Sequence, residues 1–179
     1  MVSSEGEVVP FTTPVNIYGN SVESWLGKVE KAMKLTLKDL LGKAIATHAG
    51  EYFGEWVMNW PSQVILAANQ VVFTYKVSQH LRAEPRKLEN FYEKILEKLS
   101  HYIQLVRGQI SNIERSTINS LLVMEVHNRD IIDQLIEAKV SNINDFQWAS
   151  HLRYYWEEDR CIVRMANASF QYGYEYLGL

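Results

Sequence analysis

The chain is poor in the residues that staple, span or recruit. Its 179 residues hold one cysteine, Cys161, and four prolines. A single thiol cannot build an internal disulfide framework, and the absence of a Cys/His cluster around it argues against structural zinc. No window approaches the roughly 18 consecutive apolar residues of a membrane span. The first residues, Met1-Val-Ser-Ser-Glu-Gly-Glu7, lack the basic and apolar regions of a secretory signal. These features predict a soluble protein of a reducing compartment, cytoplasmic, with no membrane partner. Charge of one sign is missing too: 18 basic and 21 acidic residues are scattered to a net −3. No basic stripe offers itself to nucleic acid.

Catalytic signatures are absent as well. A phosphate-binding loop needs glycines that wrap phosphates with backbone amides and a lysine followed by Ser or Thr. Gly27-Lys28 runs into Val29 and Gly42-Lys43 into Ala44, so neither qualifies. There is no Gly-x-Ser-x-Gly elbow, and Cys161 sits in an apolar alternating pattern with no neighbouring base. His48, His80, His101, His127 and His151 are too far apart in sequence to suggest a metal site. His127-Asn128-Arg129-Asp130 has an extra Asn relative to a kinase catalytic loop, and no glycine-rich loop or Asp-Phe-Gly accompanies it. Arg129 and Asp130 are expected to tie two helices together instead. No catalytic, cofactor-binding or metal-binding residue is predicted.

What is present is helical periodicity, from a chain that is 47% hydrophobic. Residues 1–20, with Pro10, Pro14, Gly6 and Gly19, read as an extended lead-in. Asn20 followed by Glu23 suggests a helix cap. Val22, Trp25, Leu26, Val29, Met33, Leu37, Leu40, Leu41, Ala44 and Ile45 then form a stripe at spacings of three and four. From Glu51 to Arg82 a short helix, a corner at Trp60-Pro61 and a longer helix are predicted, with Val64, Ile65, Ala68, Val71, Val72 and Tyr75 on its inner side. Pro85 opens an amphipathic helix carrying Leu88, Phe91, Tyr92, Ile95, Leu96, Leu99, Tyr102, Ile103 and Val106. Gly108 ends it, and residues 111–139 return antiparallel, with a break near His127-Asn128. Asn144 with Gln147 suggests a further cap, for a helix through Trp156.

From Arg160 the period changes to two. Cys161, Val163 and Met165 alternate with Ile162, Arg164 and Ala166, and Phe170, Tyr172, Tyr174 and Tyr176 alternate with Gln171, Gly173, Glu175 and Leu177, predicting two strands with Asn167-Ala168 as the turn. Four aromatics on one face of a terminal strand require a large apolar partner. The fold class is therefore mainly α, an elongated helical bundle (21–157) preceded by the lead-in (1–20) and followed by a short β-hairpin or strand pair (158–179).

The run Asn144-Asp-Phe-Gln-Trp-Ala-Ser-His-Leu-Arg-Tyr-Tyr-Trp156, with Ile162-Val-Arg-Met-Ala-Asn-Ala168 and Phe170-Gln-Tyr-Gly-Tyr-Glu-Tyr-Leu-Gly178, resembles the junction between the linker and the first AAA+ module of dynein heavy chains. Val9-Pro-Phe11, Val22-Glu-Ser-Trp-Leu26, Trp60-Pro-Ser-Gln-Val64 and Val126-His-Asn-Arg-Asp130 are similar to linker segments in the same order, so the resemblance covers nearly the whole chain. Leu152-Arg-Tyr-Tyr-Trp-Glu157 is closer to axonemal than to cytoplasmic dyneins.

The resemblance implies the C-terminal part of the mechanical linker of an ATP-driven microtubule motor, working in the axoneme of a cilium or flagellum. Its implied partners are the AAA+ ring of the same heavy chain and, through the parent complex, intermediate chains, light chains and microtubules. ATP and magnesium belong to the parent motor. The sequence stops at Leu179, ahead of where the family's phosphate-binding loop is expected, so that chemistry is carried over to no residue here. Phe170, Tyr172, Tyr174 and Tyr176 are the expected contacts with the ring, and Pro61 and Gly108 the expected bending points. The alternative is a stand-alone helical scaffold or adaptor of the same ancestry. A Gly-x-x-x-x-Gly-Lys-Thr element soon after Leu179 in the reading frame would decide for the motor.

Overall fold

The computed structural model describes residues 1–16, 18, 21–48, 53–83 and 86–178. Asn20, Glu51, Pro85 and Leu179, each given a role above, lie outside them. Among the described residues six helices precede a sheet of three antiparallel strands in the order β1-β2-β3. The fold is mainly α with a short β element, as the periodicities predict.

Helix α1 (Val22–Thr47) starts at Ser21, whose hydroxyl accepts the Ser24 amide at 3.4 Å. A serine oxygen in that position satisfies one of the free amides of the first turn. Its C-terminal half is packed: Leu37, Leu41 and Ala44 are buried, whereas Val22 and Leu26 are exposed. Helix α2 (Phe53–Met58) and helix α3 (Ser62–Ala83) meet at the Trp60-Pro61 corner. α3 is buried over most of its surface, through Val64, Ile65, Ala68, Val71, Phe73, Val77 and Leu81, and leaves Lys76 and Gln79 exposed. A helix with so wide an apolar face belongs inside a bundle, and α1, α4, α5 and β1 pack against this one. Tyr75, expected inside, is exposed.

Helices α4 (Arg86–Arg107) and α5 (Asn112–Glu137) form a hairpin across Gly108. Leu88, Phe91, Ile95, Leu99 and Tyr102 of α4 are buried, but Ile103 is exposed. α5 begins with a reciprocal capping box between Ser111 and Glu114. It runs unbroken through His127-Asn128, because Asn128 is fully buried and its side-chain oxygen accepts from Gln70 at 3.2 Å. Arg129 and Asp130 do not join two helices; they pair with each other at 2.6 Å on the surface of α5.

Three further expectations are corrected near the C-terminus. α6 (Phe146–Ala149) is a single turn, and its N-cap is Asp145, not Asn144. The chain then turns into β1 (Arg153–Glu157), where helix was expected through Trp156. β1 pairs with β2 (Arg160–Met165), and β2 with β3 (Ala168–Gln171). Met165 faces Ala168, so the second turn is Ala166-Asn167, one residue earlier than read from sequence. The sheet lies on α3: the Tyr154 amide donates to Thr74 Oγ1 at 3.0 Å, and Trp156 sits over Gly42 of α1.

The N-terminal residues are not simply extended. Residues 1–9 double back, with Val2 bridged to Val8 and the Val9 amide donating to the Met1 carbonyl at 2.9 Å. Gly6, at φ +86°, supplies the left-handed turn.

Candidate functional site: the C-terminal aromatic segment

Strand β3 ends at Gln171, and residues 172–178 continue outside the sheet. The alternation expected of residues 169–177 fails at Tyr174, whose φ of +53° places a non-glycine residue in the left-handed region. The aromatic side chains therefore do not share one open face. Tyr174 is buried within the cluster that includes Leu37, Leu41, Val64 and Ala67, and Tyr172 and Tyr176 pack against that cluster. The apolar partner these tyrosines require is the protein's own α1 and α3. Phe170 alone of the four is open to solvent, 65% exposed.

Each tyrosine hydroxyl is engaged. Gln63 Nε2 donates to Tyr172 Oη at 3.0 Å, the Cys161 amide donates to Tyr174 Oη at 2.7 Å, and Tyr176 Oη donates to Glu7 Oε2 at 2.7 Å. Burial raises the pKa of all three above the ordinary phenol value. For Tyr176 the bond to Glu7 and the charge of that carboxylate raise it further. For Tyr172 and Tyr174 the donated bond partly offsets burial. All three stay neutral at ordinary pH, so the hydrogen-bond pattern does not switch.

Glu7 and Gln63 were not legible as site residues. Glu7 reaches across to the first turn of α3, where its Oε1 accepts the Ser62 amide at 2.8 Å and the Ser62 hydroxyl at 2.7 Å. A carboxylate there is stabilised by the free amides and positive end of the helix. Gln63, next in sequence, also donates to the Glu175 carbonyl at 2.6 Å and accepts the Leu177 amide at 3.0 Å. The sequence signal is slight: the second of two acids in a short polar loop and a glutamine after Pro-Ser.

A second polar group, also missed, lies deeper. Glu125 of α5 is 2% exposed, accepting from Lys98 Nζ at 2.6 Å and from Asn69 Nδ2 at 2.7 Å, while Lys98 also donates to Asn69 Oδ1 at 2.7 Å. This triad joins α3, α4 and α5.

The expected bending points sit at helix junctions. Pro61 precedes α3 and its carbonyl accepts the Ile65 amide; Gly108 lies between α4 and α5, where Arg115 donates to its carbonyl at 3.3 Å and to that of Val106. Cys161 is fully buried, and burial pushes its thiol up to about 12, which suits packing and not nucleophilic attack. Among the described residues no group of His, Cys, Asp and Glu side chains is placed to hold a metal ion. No helix among them is long and apolar enough to cross a membrane.

Comparison with known proteins bears on this arrangement directly. Residues 1–44 match the family model described as Dynein heavy chain, N-terminal region 2. The chain is 41% identical over 179 residues to human Dynein axonemal heavy chain 1 and 40% identical over 181 residues to human Dynein axonemal heavy chain 3. It is 39% identical over 185 residues to mouse Dynein axonemal heavy chain 2, and each match takes in 99% of the chain. Along almost its whole length the chain is similar to one stretch of the axonemal dynein heavy chains. It spans about 4% of the length of these relatives. The alignments run through the tyrosine segment and its partners Glu7 and Gln63 alike, so the site lies wholly within the stretch shared with axonemal dynein heavy chains.

Proposed function

We propose that this chain is the C-terminal part of a dynein linker, a stiff helical element that transmits ATP-driven shape changes of the AAA+ ring during ciliary or flagellar movement. The observation that carries the reading is the match to axonemal dynein heavy chains along 99% of the chain. Close-packed helices resist deformation, so displacement at one end is delivered to the other. Bending concentrates at Pro61 and Gly108, where helical hydrogen bonding is interrupted.

In this reading the chain contributes no ATPase chemistry, and ATP and magnesium act elsewhere in the parent heavy chain. The ring of the same heavy chain is the direct partner. Intermediate chains, light chains and microtubules are reached through the parent complex, in the cytoplasm and the axoneme. Phe170 is the side chain best placed for a ring contact, since Tyr172, Tyr174 and Tyr176 already serve the linker's own core as well as this junction.

The test is Phe170→Asp in a full-length axonemal dynein, beside Phe170→Leu. The exposed position should tolerate both without loss of fold. Loss of anchoring predicts gliding slowed several-fold at near-normal ATP turnover for the Asp variant only. Unchanged gliding velocity overturns the anchoring role of Phe170.

A further inference from the structure

Residues 172–178 are attached almost entirely by side chains. One backbone bond, from the Tyr172 amide to the Cys161 carbonyl at 2.9 Å, continues the ladder, after which the segment leaves the sheet. The contacts beyond it converge on one place. Gln63 holds Tyr172 Oη, the Glu175 carbonyl and the Leu177 amide, and Glu7 holds Tyr176 Oη while capping Ser62, the residue beside Gln63. Gly178 lies against the N-terminal loop so closely that a Cβ there would come within 2.6 Å of Ser3 Cβ.

We propose that Gln63 and Glu7 form a clasp that holds residues 172–178 as a strap, able to lift from α1 and α3 without unfolding them. Three features support release as a unit. The strap lacks the continuous ladder that makes strand separation cooperative. Its left-handed Tyr174 is conformational strain that only the docked contacts maintain. Near its far end the Leu177 side chain adds no packing, being 80% exposed. Lifting uncovers an apolar seat formed by Leu37, Leu41, Val64 and Ala67, against which Tyr172 packs. The clasp also couples the two ends of the chain, because Glu7 belongs to the N-terminal loop and Tyr176 to the strap. Loosening either residue should free both segments together. The inference concerns this chain alone and stands or falls independently of the motor reading.

Amide hydrogen exchange on the 179-residue chain tests it. Gln63→Met keeps side-chain volume but removes all three polar contacts. Exchange at Leu177 and Cys161, whose amides bond to Gln63 and Tyr174, should accelerate at least tenfold while Leu121 and Ile132 in the core keep their rates. Glu7→Gln, and Tyr176→Phe as an independent variant, should likewise accelerate Leu177, whose amide bonds to neither side chain. Unchanged exchange at Leu177 in all three variants overturns the clasp. Acceleration of Leu121 and Ile132 in parallel with Leu177 overturns the separate release of the strap.

Discussion

Lys98 and Glu125 show how unequal the partners of a buried pair can be. The Glu125 side chain is 2% exposed and that of Lys98 23%, so the carboxylate bears most of the desolvation and depends on the ammonium and on Asn69. Removing Lys98 strands a buried negative charge, a change that typically costs about 3–5 kcal/mol, whereas replacing both partners by apolar groups is often close to neutral. Lys98→Met should therefore lower stability by about 3 kcal/mol in urea unfolding, and Lys98→Met with Glu125→Met should recover most of the loss. A double variant no more stable than the single one would show that the pair adds net stability.

His48 makes a pH-dependent contribution at the same scale. It closes the C-terminus of α1 with its ring 4.7 Å from that of Trp56. Burial, and then the positive charges of Lys98 and Lys76, lower it from 6.5 to about 3. The neutral ring is thus favoured in the fold, while the unfolded chain takes up a proton below its ordinary value near 6.5. Stability from this group is fully present above pH 6.5 and is lost as pH falls towards 3. By pH 4.5 the loss should reach roughly 1–3 kcal/mol. Melting temperature measured from pH 7 to 4.5 should fall less steeply in His48→Gln than in the native chain.

At the scale of elements, the helices were the legible part. Apolar residues three and four apart marked α1 and α4, and Pro61 and Gly108 marked real junctions. β1 was misread because Trp148, Leu152, Tyr155 and Trp156 mimic helical spacing, while its true signal is three consecutive aromatics with high strand propensity. The turn that follows also hid it. Glu158 and Asp159 have φ of +48° and +58°, the paired left-handed geometry for which Asn-Gly is the usual sequence. Neither residue announces a hairpin. Glu158→Asn with Asp159→Gly should relieve that strain and stabilise the chain by about 1 kcal/mol. The exposed Asp159 pair with Lys38 offsets little, since that carboxylate is 76% exposed. A raised denaturation midpoint at constant slope would bear this out. In the candidate site the tyrosine spacing could be read, but not its direction, because Tyr174 breaks the alternation and Glu7 lies 169 residues from Tyr176.

For the whole molecule, two apolar clusters are threaded by the same helices. One gathers Leu41, Trp56, Ile65, Tyr102, Leu121 and Cys161, and the other Phe73, Phe91, Ile95, Ile132, Leu135 and Trp148. α3, α4 and α5 contribute to both, and the Asn69–Lys98–Glu125 triad joins those three helices. Shared helices make the two clusters one mechanical body, which is what a transmitting element requires. Cys161 lies in the first of them, sealed between the sheet and the helices with its thiolate strongly disfavoured. The native chain is therefore silent towards thiol reagents until it opens. A cysteine introduced at exposed Leu177 would be the one reactive position, and a fluorophore attached there would report the strap's movement against a dark background.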